Sequence, residues 1–221
     1  PYSSLNPRKK IVSIVSEPLD VLERGISFRN REKRVMAILN DVGMSGNDLD
    51  KYPHEFSGGH RQRIAIARAL ITKPSLVVAD ESVSALDVSV QAQVLNLMMD
   101  LQAKYNLTFV FISHDLSVVE YVTSKMIVIY LGRVVEHGIT SQIFQTPRHP
   151  YTRMLLEAIP SLDPLKRKSP KKRAVPAGPV PEASCPFVDR CYLAQPICRE
   201  QIPLLLDSGQ GHQVACHVVN A

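Results

Sequence analysis

Four short stretches carry residues whose types and spacing could do chemistry. LVVADE, residues 76–81, runs an apolar segment straight into two adjacent carboxylates, Asp80 and Glu81. Side chains alternate along a strand, so the two acids are expected to point apart and do different work. One can hold Mg²⁺ through water, and the other can orient or deprotonate an attacking water. FVFISHD, residues 109–115, delivers His114 in the same way, at the end of a second apolar run. A histidine there can donate to a phosphate oxygen and register a γ-phosphate. SGGHRQR, residues 57–63, sets Gly58 and Gly59 before a basic segment. Bare backbone N–H groups and a helix N-terminus both attract anions. SALD, residues 84–87, offers Asp87 as a helix N-cap. Each feature alone also has a plain structural reading: loop acids capping a helix, a packing histidine, a flexible turn, a cap.

The lysine-bearing phosphate loop G-x-x-x-x-G-K-[ST] occurs nowhere in the 221 residues, and no two of the ten glycines stand five positions apart. A phosphate cradle at residues 57–60 therefore lacks the usual companion grip on a nucleotide.

The elements that must position these residues follow from periodicity. Val35, Ile38, Leu39 and Val42 recur at helical spacing from Asn30, with Gly43 as a stop. Ser57 caps a helix carrying Ile64, Ala67 and Leu70, which Pro74 closes. Leu76–Ala79 reads as a buried strand, and a long helix after Asp87 carries Val90, Val94, Leu97, Met98 and Leu101 on one face. Thr108–Ile112 is a second buried strand, followed by a short helix. Lys125–Tyr130 and Arg133–Glu136 read as a hairpin turning at Leu131-Gly132. Strands alternating with helices predict an α/β fold with a parallel sheet, whose ligand sites lie at the strand ends.

Composition limits the alternatives. The hydrophobic fraction of 45% is that of a globular protein. The longest apolar runs, Phe109–Ile112 and Met126–Leu131, are far short of the roughly 20 residues that cross a bilayer. The net charge of +5 is local, because six of the eight residues from Lys166 to Arg173 are basic. Such a run can bind nucleic acid or anionic lipid, but it sits among prolines without aromatics, which favours a solvated linker. All four cysteines, Cys185, Cys191, Cys198 and Cys216, fall in the last 37 residues. Without an export signal a disulfide framework is disfavoured, leaving a metal or cluster site. Their spacing, C-x5-C-x6-C-x17-C, lacks the paired C-x2-C knuckles of a zinc ribbon, and four thiolates can hold an iron–sulfur cluster. His212 and His217 keep a mixed zinc site open. The expected organisation is a main body over 1–160, a basic proline-rich linker over 161–182 and a cysteine-bearing module over 183–221.

In this order and spacing, FSGGHRQRIAIARAL, LVVADE, SALD and ISHD resemble the signature motif, Walker B segment, D-loop and switch histidine of the ATP-binding-cassette (ABC) ATPases. SALDVSVQAQVLNLMMDLQ, HPYTRMLLEAIP and CPFVDRCYLAQPIC are similar to the dipeptide and oligopeptide importer branch, and PYSSLNPR to the segment after its Q-loop. The resemblance implies a P-loop-NTPase-like cassette: a RecA-like parallel sheet core, a helical subdomain over about 17–70, and a small C-terminal extension. It implies ATP and Mg²⁺, with Asp80 associated with the metal, Glu81 as general base and His114 as γ-phosphate sensor. Ser57, Gly58, Gly59 and His60, with Asp87, would act on ATP held by the facing subunit. Cys185, Cys191, Cys198 and Cys216 would hold a [4Fe–4S] cluster, with zinc as the alternative. The implied partners are a second ATPase subunit, two membrane-spanning permeases and, indirectly, an extracytoplasmic peptide-binding protein, with no nucleic acid. The implied place is the cytoplasmic face of the cell membrane. The family's Walker A loop and Q-loop glutamine are expected before Pro1, so the resemblance also implies an N-terminally truncated cassette. His60 stands where the signature usually has glutamine, and Ser82 where this branch usually has proline. The rival readings are a non-hydrolysing interaction module and a nucleic-acid-associated cassette ATPase that uses the basic run.

Overall fold

Two parallel strands set the frame for everything in the first half of the chain. In the computed structural model, which describes residues 5–23, 25–159 and 183–220, β1 (Leu76–Asp80) pairs in parallel with β2 (Thr108–Ile112). The register runs from Leu76 opposite Thr108 to Asp80 opposite Ile112. Between them the chain crosses over through a long helix, as a parallel pair requires. That helix, α4 (Val88–Tyr105), begins on the Asp87 cap, whose carboxylate accepts the Val90 N–H at 3.0 Å. It ends on Asn106 in the left-handed region (φ +52°), a conformation asparagine tolerates. Its buried face is Val94, Leu95, Met98 and Leu101, so Leu95 replaces the expected Leu97 in the core.

Three earlier helices pack on one another: α1 (Ile11–Leu22), α2 (Phe28–Asp41) and α3 (Gly58–Leu70), and α3 also packs on α4. The helix α2 buries Val35, Ile38 and Leu39, as its spacing predicts, and Gly43 follows it with a positive φ. The sequence gives little warning of α1, because Pro18 lies inside it. Tertiary contacts hold it: Ile11, Ile14, Val15 and Leu19 are buried. Its first N–H groups find partners off the helix, Ile11 N–H on the Lys51 carbonyl at 2.9 Å and Val12 N–H on the Leu49 carbonyl at 3.0 Å.

A second compact unit, Leu116–Ala221, follows the first, Pro1–Asp115. It opens with α5 (Leu116–Val122) and the antiparallel hairpin of β3 (Lys125–Tyr130) and β4 (Arg133–Ile139). The hairpin turns on Leu131 (φ +46°) and Gly132 (φ +75°), the two positive φ values that a two-residue turn needs. Next come α6 (Thr140–Gln145), α7 (Pro150–Glu157), α8 (Ile197–Glu200) and the short strands β5 (Leu206–Asp207) and β6 (Gln213–Val214). The sheet order is β3-β4-β6-β5. The described part of the cysteine-bearing segment thus joins the hairpin's own sheet, and the composition shift near residue 183 does not coincide with the division between the compact units. The expected linker, 161–182, and its basic run lie outside the described residues.

The second unit is pinned by a buried carboxylate. Glu136 of β4, fully buried, accepts the Arg148 N–H at 2.8 Å and the His149 N–H at 3.1 Å, and pairs with His212 Nε2 at 2.7 Å. Burial pushes the His149 imidazole down to about 4, against the pull of Glu136 in the opposite direction. Its Nδ1 accepts the Tyr151 N–H at 3.1 Å and so starts α7.

The C-terminus of α4 is tied to α2 through Asp41, which takes bonds from Lys104 Nζ at 2.5 Å and from the Tyr105 hydroxyl. Burial, the largest single influence on Asp41, raises its pKa, but the two bonds together outweigh it and hold the carboxyl below its ordinary value. Burial and then the bond to Asp41 push the Tyr105 phenol up to about 12. A folded value above the unfolded one stabilises the fold fully below the unfolded value and is lost as pH rises through about 12. Urea unfolding should therefore find Tyr105→Phe less stable than the parent by about 1 kcal/mol at neutral pH, with the gap closing above about pH 10. A gap unchanged across that alkaline window would contradict the assignment.

Candidate functional site

The parallel register decides where the catalytic candidates stand. Asp80 is the last residue of β1, and its neighbour Ile112 is the last of β2. One residue further, the Glu81 N–H donates to the Ile112 carbonyl at 2.9 Å, extending the ladder by a single bond. The chain then turns sharply, with Glu81 at φ +45°, a left-handed conformation that a non-glycine residue adopts at a cost of order 1–3 kcal/mol. Glu81 therefore lies beyond the strand whose alternation was expected to separate it from Asp80. Ser84 holds the turn, its N–H and hydroxyl donating to the Glu81 carbonyl at 3.3 and 3.0 Å.

The turn brings Glu81 to His114. Glu81 Oε1 lies 3.0 Å from His114 Nδ1, and both side chains are more than half exposed. A carboxylate that holds one imidazole nitrogen turns the other outward toward whatever occupies the strand ends. Asp80 is exposed at the same strand end. Gln91 Nε2 reaches Asp115 Oδ2 at 3.4 Å, linking α4 to the loop that carries His114. Beside the strand end, a cavity of about 310 Å³ is lined by Gln62 and Ile66 of α3, Asp80, Glu81 and Ser82 of the turn, and Phe109 of β2.

A second group gathers at the start of α3. Ser57 caps the helix, its hydroxyl accepting the His60 N–H at 3.5 Å and lying 2.7 Å from His60 Nδ1. Gly58 and Gly59 are needed here for close packing. A Cβ on Gly58 would meet Leu86 Cδ2 at 3.3 Å, and one on Gly59 would meet Val90 Cγ1 at 2.5 Å. The glycine turn therefore rests on the segment around Asp87 and the first turn of α4. Neither the glycine-to-α4 contact nor the Ser57–His60 pair is legible in the motif itself.

The four cysteines are free thiols. Cys185 and Cys198 are buried in a cluster with Phe187 and Val188, against which Cys191 also packs, and the Cys185 N–H donates to the Cys198 carbonyl at 2.8 Å. Burial pushes the Cys185 thiol up, with smaller contributions from Cys198, Cys191 and Cys216. Burial likewise raises Cys191, helped by Cys216 and Cys198. The thiols are thus near enough to sense one another. No group of three or more His, Cys, Asp or Glu side chains among the described residues is arranged to hold a metal ion. Of the two histidines that keep a mixed zinc site open, His212 Nε2 is paired with Glu136 and His217 Nε2 lies 3.0 Å from the Gln201 carbonyl.

Comparison with known proteins decides the family. Residues 2–84 match the ABC transporter family, and residues 135–198 match the oligopeptide/dipeptide transporter C-terminal region. A dipeptide transport ATP-binding protein of Haemophilus influenzae is 52% identical over 98% of this chain and 66% of its own length. An oligopeptide transport ATP-binding protein of Bacillus subtilis is 46% identical over 99% of this chain and 67% of its own length. The chain belongs to the ATP-binding proteins of the peptide ABC transporters. It spans about two thirds of the length of these relatives. A dimeric bacterial ABC transporter cassette of solved structure superposes with a TM-score of 0.54 at 29% identity, covering 62% of this chain and 59% of that one. The α/β cassette expected from the motifs is the fold found.

Proposed function

We propose that the chain serves as an ATP-hydrolysing subunit that energises an importer of dipeptides or oligopeptides. The observation that carries this reading is the Glu81–His114 pair at the end of β1 and β2, in a chain alike over nearly its whole length to peptide-transport ATP-binding proteins. In the reaction, a water oxygen attacks the γ-phosphorus of ATP, and the bond from that phosphorus to the β–γ bridging oxygen breaks. ADP and phosphate leave. Glu81 takes the proton of the attacking water, and His114, held through Nδ1, presents its other nitrogen to the γ-phosphate. Asp80 offers a hard carboxylate oxygen, suited to Mg²⁺, which is usually held by one or two carboxylates together with water and phosphate. Bound there, Mg²⁺ would neutralise charge on the phosphates.

In the proposed assembly two such subunits face each other and work with membrane-spanning permeases at the cytoplasmic face of the membrane. No helix among the described residues is long and apolar enough to cross a membrane itself. Ser57, Gly58, Gly59 and His60 act on the ATP of the facing subunit, and Asp87, beside the glycine turn, relays closure. The division into ATPase body, linker and cysteine-bearing extension belongs to the same reading.

The four cysteines are proposed as ligands of an iron–sulfur cluster. The gathering of Cys185 and Cys198 in one buried cluster, with Cys191 packed against it, supports this reading, and ligation requires the four thiols to lose their protons and draw together. Protein purified without oxygen should carry iron and sulfide, and Cys198→Ser should lose both. Stoichiometric zinc without iron would overturn the assignment.

The test of the main reading mixes this chain with a complete ATP-binding subunit. ATPase activity supported by the mixture should be abolished by Ser57→Arg, which places a long cationic side chain in the glycine turn, and in a chain carrying a glycine–lysine phosphate loop ahead of residue 1 activity should fall by about 100-fold or more with Glu81→Gln. Activity unchanged by Glu81→Gln would exclude hydrolysis at this site.

A further inference from the structure

The Ser57–His60 pair has a consequence that the signature motif does not contain. It rests on the reading above, in which Ser57 faces a nucleotide phosphate. A hydroxyl has one proton and two lone pairs. If His60 Nδ1 is bare, the 2.7 Å contact can only be Ser57 donating to the ring, and the hydroxyl proton is consumed inside the chain. If Nδ1 carries a proton, the ring donates to Ser57 Oγ, as does the His60 backbone N–H at 3.5 Å. Both lone pairs are then engaged, and the hydroxyl proton is free to point outward, where a phosphate oxygen can accept it.

We infer that His60 is a positioning residue that gates the phosphate-donating capacity of Ser57, open when Nδ1 is protonated and closed when it is bare. The gate follows from replacing a carboxamide with an imidazole. Glutamine always carries an N–H₂ group and does not change its charge or its donors with pH, whereas imidazoles exchange a proton between about pH 5 and 8.

Among the described residues no other hydrogen bond falls on the His60 ring. The Phe56 ring lies 6.2 Å away, centroid to centroid. From the turn at Gly46–Asp48, Asp48 interacts electrostatically with His60 and is itself bonded to Lys51 at 2.7 Å. On the turn at Pro53–Glu55, Glu55 accepts the Tyr52 N–H, and His54 stacks on Tyr52. From α4, Asp87 is engaged with the Val90 N–H. On α3 itself, Arg61 and Arg63 donate to the Pro53 and Val42 carbonyls at 2.8 and 2.7 Å.

Two measurements test the gate. In the free chain, long-range ¹H–¹⁵N spectra report which His60 nitrogen carries the proton. Ser57→Ala should change the Nδ1 shift and the tautomer balance relative to the parent, and identical spectra would overturn the proposal. In the mixture with a complete subunit, kcat/KM for ATP should fall by roughly tenfold for the parent as the ring passes from imidazolium to the neutral tautomer with its proton on Nε2, across the range in which imidazoles exchange a proton, while His60→Gln should flatten that slope. The same slope in both proteins would overturn the gate even where Ser57→Arg abolishes activity. Activity that survives Ser57→Arg would instead overturn the reading that Ser57 meets the nucleotide, which the spectra on the free chain do not depend on.

Discussion

One hydrogen-bonded register underlies the candidate site: β1 beside β2, with Asp80 opposite Ile112 and the Glu81 N–H on the Ile112 carbonyl. Because side chains alternate along a strand, a slip of one residue would turn Ile112 inward and move His114 away from Glu81. The register is held from one side. Val77, Ala79, Phe109 and Phe111 lie on the face with the lower exposure, whereas Leu76, Val78, Val110 and Ile112 are about half exposed on the other. Packing on a single face is enough to fix which residues emerge at the strand ends, and those ends carry the only steps of the proposed reaction that need proton transfer.

The second requirement is that an anion-attracting turn be rigid without side chains. Gly58 and Gly59 approach Leu86 and Val90 closely: a Cβ on Gly58 would press on the Leu86 side chain at 3.3 Å, and one on Gly59 would require the Val90 side chain, at 2.5 Å, to move. The same contact couples the turn to the loop that leaves Glu81, through Ser84 and Asp87. In the other unit, Glu136 plays a comparable part by stitching β4 to the start of α7 and to the hairpin around His212. A buried carboxyl group is tolerated here because three hydrogen-bonding partners meet it.

Much of this was legible in the chain, and the misses have physical reasons. Periodicity located α2, α3, α4 and β1 to β4, since each buries one regular stripe or run. It failed at α1, where Pro18 masks a helix that tertiary contacts and off-helix carbonyl partners sustain. The pairing of Glu81 with His114 could be inferred from two strand ends, but the left-handed turn that produces it could not, because glutamate shows no local preference for that conformation. The Glu136–His212 pair joins residues 76 positions apart, and no short-range pattern announces such a contact. Cysteine spacing suggested a shared site. Cys185, Cys191 and Cys198 do gather in one cluster, but no group of three or more His, Cys, Asp or Glu among the described residues is arranged as a ligand set.

In the proposed assembly residues 57–60 and Asp87 act on a nucleotide held by the facing subunit, and the 221 residues contain no glycine–lysine phosphate loop. Calorimetric titration of Mg·ATP into the chain, alone and then with a complete ATP-binding subunit present, tests this most directly. Very weak binding is expected for residues 1–221 alone, and binding in the mixture that weakens when Ser57 is replaced by arginine. Stoichiometric, tight binding of ATP by the isolated chain would contradict it.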